Sequence, residues 1–136
     1  MSSQLIFDTS VWIDFLRGKS TPEVNLLTGY IENNHPIILV PLILQEVLQG
    51  IREDRQYLHI KDLFSYFTML QLPPVNAAIG AAELYRSLRK KGVTIRKSND
   101  CMIAYYGITS AIPLVHTDQD FDLISQLTGL KVWTNG

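Results

Sequence analysis

The sequence predicts an α/β fold with a parallel sheet covered on both faces, and three observations carry the prediction. Short apolar-rich stretches recur, continuous at Leu5-Ile6-Phe7, Ile37 to Val40 and Pro113-Leu114-Val115 and interrupted by one polar residue at Met69 to Leu72 and Leu130 to Trp133. Runs of that length without polar alternation read as strands buried on both sides. Helical patterns separate them, so the order alternates β and α, which favours parallel pairing through helical crossovers. Turn residues punctuate the alternation at Gly18, Asn34-His35-Pro36, Pro73-Pro74, Gly92 and Gly129.

The elements follow in order. After the first strand, Val11, Trp12, Phe15 and Leu16 recur at helical spacing until Gly18. Thr21-Pro22-Glu23 reads as N-cap, N1 proline and first-turn acid of a second helix to about Asn33. Pro41 opens a helix with Leu44, Val47, Leu48 and Ile51 inward, and it carries Glu46 and Gly50. A helix from Asp54 to Phe67 holds more aromatic residues than one stripe needs, for core or for a partner surface. Val75 to Lys91 is the longest helix, with Ala78, Ile79, Ala82, Tyr85 and Leu88 as its expected buried stripe and Gly92 as its stop. Ser98 is the expected cap of a helix bearing Asn99, Asp100, Cys101 and Ala104. The fourth strand runs into His116-Thr117-Asp118-Gln119-Asp120-Phe121-Asp122, and a final helix follows to about Leu127.

A chain of 136 residues with 46% hydrophobic and 18% charged residues is expected to form one domain, residues 1–136, with a proper core. No apolar run approaches the ~20 residues of a membrane span, and the N-terminus has no signal-like core. The single cysteine, Cys101, excludes an internal disulfide and reads as a small buried residue. A cytoplasmic location is the expectation. The formal net charge is −1, yet six of the twelve Lys and Arg fall at Arg86, Arg89, Lys90, Lys91, Arg96 and Lys97. Dipole matching at a helix C-terminus accounts for Arg89, Lys90 and Lys91. It does not call for Arg96 and Lys97, which point to a polyanion-facing loop.

The acids carry the chemistry. Asp8 follows the first strand, Glu46 lies in the helix after the second, Asp100 opens a helix, and Asp118 follows the fourth strand. Each has an ordinary reading: Asp8 as an N-cap, Glu46 as an exposed helical acid beside a glycine, Asp100 as a first-turn acid. In a parallel sheet, however, all four fall on the carboxyl edge, where ligands collect. Two carboxylates ~4 Å apart repel by about 4 kcal/mol at an effective dielectric of 20, so such a cluster holds protons or a cation. An all-oxygen set suits Mg²⁺ or Mn²⁺.

With those residues on the page, the sequence resembles the PIN-domain nucleases. The resemblance rests on Phe7-Asp8-Thr9-Ser10-Val11, on Glu46 with Gly50, on Asn99-Asp100 before Ile103-Ala104, and on Asp118-Gln119-Asp120-Phe121. Their order, spacing and total length are similar to those of VapC-type toxins of VapBC toxin–antitoxin modules. The resemblance implies a PIN-like three-layer α/β/α fold with a four- or five-stranded parallel sheet, and Mg²⁺- or Mn²⁺-dependent endoribonuclease activity. It implies a homodimer, assembling as a heterotetramer or larger with a small antitoxin whose C-terminal tail lies over the toxin. Asp8, Glu46, Asp100 and Asp118 are then the expected catalytic and metal-site acids. Asp120 is a fifth acid for a second ion, and Ser10 is the hydroxyl that bonds an acid. His116 is either a neighbour of the site or a strand-end histidine with a structural bond. Water would attack the phosphodiester in line, leaving 5′-phosphate and 3′-hydroxyl ends. Arg86, Arg89, Lys90, Arg96 and Lys97 are the expected contacts to single-stranded or looped tRNA, rRNA or mRNA.

Rival readings lack a residue each. A receiver domain needs a phosphoacceptor after strand three, where Pro73-Pro74 stands. A haloacid-dehalogenase-like phosphatase needs a second Asp where Ser10 stands. A nucleotide-binding module needs a glycine-rich loop after strand one. A catalytically silent PIN-like adaptor, binding RNA or protein, is the remaining alternative; the presence of all four acids argues against it.

Overall fold

The computed structural model describes residues 2–136. Four short strands, β1 (Leu5–Phe7), β2 (Ile37–Leu39), β3 (Thr68–Met69) and β4 (Leu114–Val115), form one sheet in the order β3-β2-β1-β4. Every pairing is parallel, with Leu5 opposite Ile37, Ile6 opposite Leu114 and Ile38 opposite Thr68. All residues of β1, β2 and β4 are buried, as continuous apolar strands require in a sheet covered on both faces. Among the described residues seven helices cover it: α1 (Thr9–Leu16), α2 (Pro22–Glu32), α3 (Pro41–Gln49), α4 (Asp54–Phe64), α5 (Pro74–Lys90), α6 (Asn99–Ser110) and α7 (Gln119–Leu127).

Local chemistry starts and stops these helices. Thr21 Oγ1 accepts the Val24 amide at 3.0 Å, and Pro22 occupies the first turn of α2, where a missing N–H costs nothing. Gly92, at φ +87°, turns the chain out of α5. Trp12 of α1 is fully buried and lies edge-on to Phe64 at 4.7 Å and near Phe67 at 5.9 Å. The aromatic surplus expected over 54–67 thus divides: Phe64 of α4 is buried and Phe67 just beyond it packs against the core, while Tyr66 is 77% exposed, as is Leu58 of α4 at 62%.

Five expectations change. The third strand is Thr68–Met69 rather than 69–72; Leu70 still donates to Leu39 O at 2.8 Å, but the chain turns toward Pro73 beyond it. α4 ends at Phe64, after which three successive amides bond three residues back, a tighter winding than the α-helix. The last expected strand, 130–133, shrinks to a single parallel bridge between Leu114 and Val132, so the sheet has four strands among the described residues. Ser98 stands at the N-cap of α6 but its side chain makes no capping bond.

The fifth change concerns α5, which buries Ala77, Ala81 and Leu88, with Leu84 and Tyr85 partly covered, and leaves Ala78, Ile79 and Ala82 exposed. The helix packs on α6, and an ideal Cβ at Gly80 would stand 2.1 Å from the Tyr105 ring. Close approach of α6 selects the face carrying Gly80, not the bulkier one.

Candidate active site

Parallel pairing puts the carboxyl ends of β1, β2 and β4 on one edge. Asp8 follows β1 directly, α3 with Glu46 starts two residues beyond Leu39, and Asp118 comes three residues after β4. α6 brings Asp100 in its first turn to the same edge. Asp8, Glu46, Asp100 and Asp118 line one cleft of about 480 Å³, together with Thr9, Ser10, Asp14, Gln49 and Lys97.

Two of these acids are caps as well as cleft residues. Asp8 Oδ2 accepts the Ser10 amide at 3.1 Å and the Ser10 hydroxyl at 2.6 Å, closing the start of α1. Ser10 Oγ in turn accepts the Thr117 amide at 3.3 Å, tying the β1 and β4 loops together. Asp118 Oδ1 accepts the Asp120 amide at 3.0 Å and starts α7. Capping and lining the cleft are therefore not alternatives. Glu46 is held from both sides, by the Thr9 hydroxyl at 2.7 Å on Oε1 and the Asn99 amide at 3.3 Å on Oε2. Gly50 is the C-cap of α3, with only ordinary contacts for an added Cβ, so it does not clear space for Glu46.

The electrostatics are those of a site short of positive charge. Burial raises the Asp8 carboxyl above its usual range against the pull of its Ser10 bonds, and the Glu46 charge adds to the rise. Burial also pushes Asp100 up to about 7, and the charges of Asp8 and Asp118 push the same way. Asp100 Oδ2 is buried with no hydrogen-bond partner. A buried carboxylate oxygen without a donor is costly unless a proton or a cation meets it. Asp100, Asp118 and Asp120 each offer an oxygen, all within 4.8 Å of one another, and a metal ion can sit on such a set. The donors are all carboxylate, which fits a hard cation. Cys101 is buried and its thiol is pushed up to about 11 by burial and the neighbouring acids, so it stays protonated.

The basic residues separate. Arg96 reaches Asp118 and Asp120 at 3.5 Å each, and Lys97 reaches Asp118 at 3.8 Å. Arg86 stands beside Ser98 and Asn99 at one side of the acids. Arg89 lies over the Tyr85 ring at 5.8 Å, and neither it nor Lys90 lines the cleft. His116 uses both ring nitrogens: Nδ1 accepts the Asp118 amide at 3.1 Å and Nε2 lies 3.2 Å from Asp122. This is the structural bond, and it fixes the loop that presents Asp118. Sequence reasoning missed Asp14 and Gln49 as lining residues and Thr9 and Asn99 as the groups that hold Glu46. Thr9 and Asn99 stand beside Asp8 and Asp100 in the acidic motifs, and that adjacency was the available signal.

An acidic cleft of this kind, at the carboxyl edge of a small parallel α/β sheet, defines a metal-dependent nuclease class, and a PIN domain profile matches residues 5–127. The chain belongs to the PIN-domain family. Within it the chain is 30% identical to the VapC ribonuclease Mb1587 of Mycobacterium bovis and to ribonuclease VapC11 of Mycobacterium tuberculosis. Each alignment spans 128 residues, 93% of this chain and 96% of the relative. The fold matches the structure of VapBC2 from Rickettsia felis bound to a promoter DNA fragment, with a TM-score of 0.73 at 20% identity, covering 96% of this chain and 97% of the other.

Proposed function

We propose that the chain, as a single PIN-like domain over residues 1–136, is the toxin of a type II toxin–antitoxin module and hydrolyses RNA phosphodiesters at the acid cleft. The observation that carries the reading is the orphaned Asp100 Oδ2 among acids delivered from four separate segments. Capping accounts for Asp8 and Asp118 but leaves the buried Asp100 Oδ2 without a partner. Asp8, Asp100 and Asp118 would hold Mg²⁺ or Mn²⁺, with Glu46 and Asp120 beside them. When bound, such an ion draws phosphate oxygens to the acids and offsets the charge that builds during in-line attack by water.

The chain's own residues do the positioning. Ser10 orients Asp8 and ties its loop to Thr117, Thr9 and Asn99 fix Glu46, and His116 holds the Asp118 amide. Arg96 and Lys97, at the rim of the acids, supply phosphate contacts, with Arg86 beside them; Arg89 and Lys90 extend the basic surface along α5. No 2′-hydroxyl takes part, so the ends are 5′-phosphate and 3′-hydroxyl, and preference for RNA comes from recognition of unstacked bases.

A solved structure of similar fold is a toxin–antitoxin complex from Klebsiella pneumoniae, which supports a cognate antitoxin here, with the exposed Leu58 of α4 and Tyr66 just beyond it as its candidate surface. A homodimer, a larger assembly with antitoxin and a cytoplasmic location complete the reading; among the described residues no helix is long and apolar enough to cross a membrane.

The test is incubation of antitoxin-free protein with total RNA in Mg²⁺, Mn²⁺ or chelator, beside Asp8→Asn and Asp100→Asn. Discrete fragments with 5′-phosphate ends that need metal and vanish in both variants are expected. Intact RNA from folded protein that binds no metal would leave only the adaptor reading.

A further inference from the structure

The acid cleft continues past Glu46. Glu46 and Ile13 also line a second groove, of about 280 Å³, so the two concavities join through shared residues. Its floor is aliphatic, built by Ile13, Leu16, Val47 and Ile51, and Arg17 and Arg52 stand at its edge. Arg17 is the C-cap of α1, and Arg52 follows the end of α3. Neither arginine makes an ion pair among the described residues, whereas Arg96 and Lys97 across the cleft are both engaged by acids.

Two free guanidinium groups over an aliphatic floor suit a nucleotide. The planar fork of arginine matches phosphate oxygens, and an unstacked base can lie on an aliphatic surface or a guanidinium plane. A strand drawn only to Arg96 and Lys97 would stop at the acids, which repel it. A second pair of cations beyond Glu46 brackets the acids and draws the strand across them.

We propose that single-stranded RNA crosses the acid cleft from the Arg96–Lys97 side, and that the groove of Arg17 and Arg52 holds a nucleotide adjoining the phosphate to be cut. The proposal rests on RNA being the substrate. It names a specificity subsite that the acidic motifs do not contain. A peptide segment of an antitoxin is the rival occupant, but two unpaired cations beside an acidic cleft favour a polyanion bridging them.

The experiment measures binding of a mixed-sequence single-stranded oligoribonucleotide in chelator, where cleavage is off, over a range of salt. The double variant Arg17→Ala/Arg52→Ala is compared with wild type and with Lys61→Ala/Lys131→Ala, which removes the same charge away from the groove. All four side chains are exposed, so folding is expected to survive and is checked by thermal melting. The arginine pair should weaken Kd about tenfold and reduce the salt slope by about 1.4, two contacts at about 0.7 each, while the lysine pair stays within about twofold. Arg17→Lys/Arg52→Lys should restore much of the salt slope. Equal loss in both alanine pairs, or an unchanged Kd in the arginine pair, overturns the proposal. So does an arginine pair that weakens antitoxin binding alone. Wild-type protein that neither binds nor cleaves RNA would remove the nuclease reading itself; cleavage with no response to the arginine pair would remove only the subsite.

Discussion

Asp100→Asn should stabilise the metal-free protein while ending its response to metal. Burial pushes the Asp100 carboxyl from its ordinary value near 3.8 up to about 7 in the folded chain. Its proton is thus held more tightly in the native state than in the unfolded one. The contribution of this proton to stability is full below about pH 4 and is lost as pH rises through about 7. The interval of about three units corresponds to about 4 kcal/mol at 1.36 kcal/mol per unit. Solvent at the cleft mouth screens part of this, so about 1 to 3 kcal/mol is the expected gain from Asn at pH 8.

For a domain of this size the gain corresponds to a rise of about 3 to 10 °C in Tm, measured in chelator. At pH 4 the native carboxyl is already neutral and the gain should vanish. With Mn²⁺ the order inverts. Wild type gains about 2.7 kcal/mol at a concentration 100 times Kd, and the Asn variant gains little. A variant less stable than wild type at pH 8 in chelator would refute the reasoning, because it would mean that the buried carboxylate is stabilising without a cation.

Thr9→Val keeps the shape of the side chain but removes the hydroxyl that holds Glu46 at 2.7 Å; cleavage should fall about 10- to 100-fold with Tm nearly unchanged, read from initial rates and melting. Gly80→Ala places a Cβ against the Tyr105 ring and should cost about 1 to 3 kcal/mol in denaturant unfolding, since the ring is wedged between α5 and α6. Ala111 ends α6 at φ +58°, a conformation that costs residues with a Cβ; Ala111→Gly should raise stability by about 0.5 to 1 kcal/mol.

Much of the site was legible because its acids sit where local patterns change. Asp8 and Asp118 each stand between a buried apolar run and a helical repeat, so their places on the sheet edge follow once the strands are parallel. The pairing in the order β3-β2-β1-β4 supplies that condition. Arg96 and Lys97 were legible as charge not needed by a helix terminus, and they meet the acids. The buried face of α5 was not legible. Apolar and small residues surround that helix, so its pattern does not select one side; contact with Tyr105 does. Arg17 and Arg52 were equally silent, being single cations at helix ends 35 positions apart that only the packing of α1 beside α3 brings to one groove.

By itself the sequence determined the class of fold and singled out four acids that the structure brings to one cleft, because burial patterns, caps and turn residues act over a few neighbouring positions. Only the tertiary structure decided which acids share a cleft oxygen to oxygen, that Glu46 is held by Thr9 and Asn99, and that His116 spends both nitrogens on the Asp118 loop. Those contacts join segments far apart in the chain or depend on a loop's final turn. Their energies depend on burial and on separations of a few ångströms, and neither quantity exists until the helices have packed on the sheet.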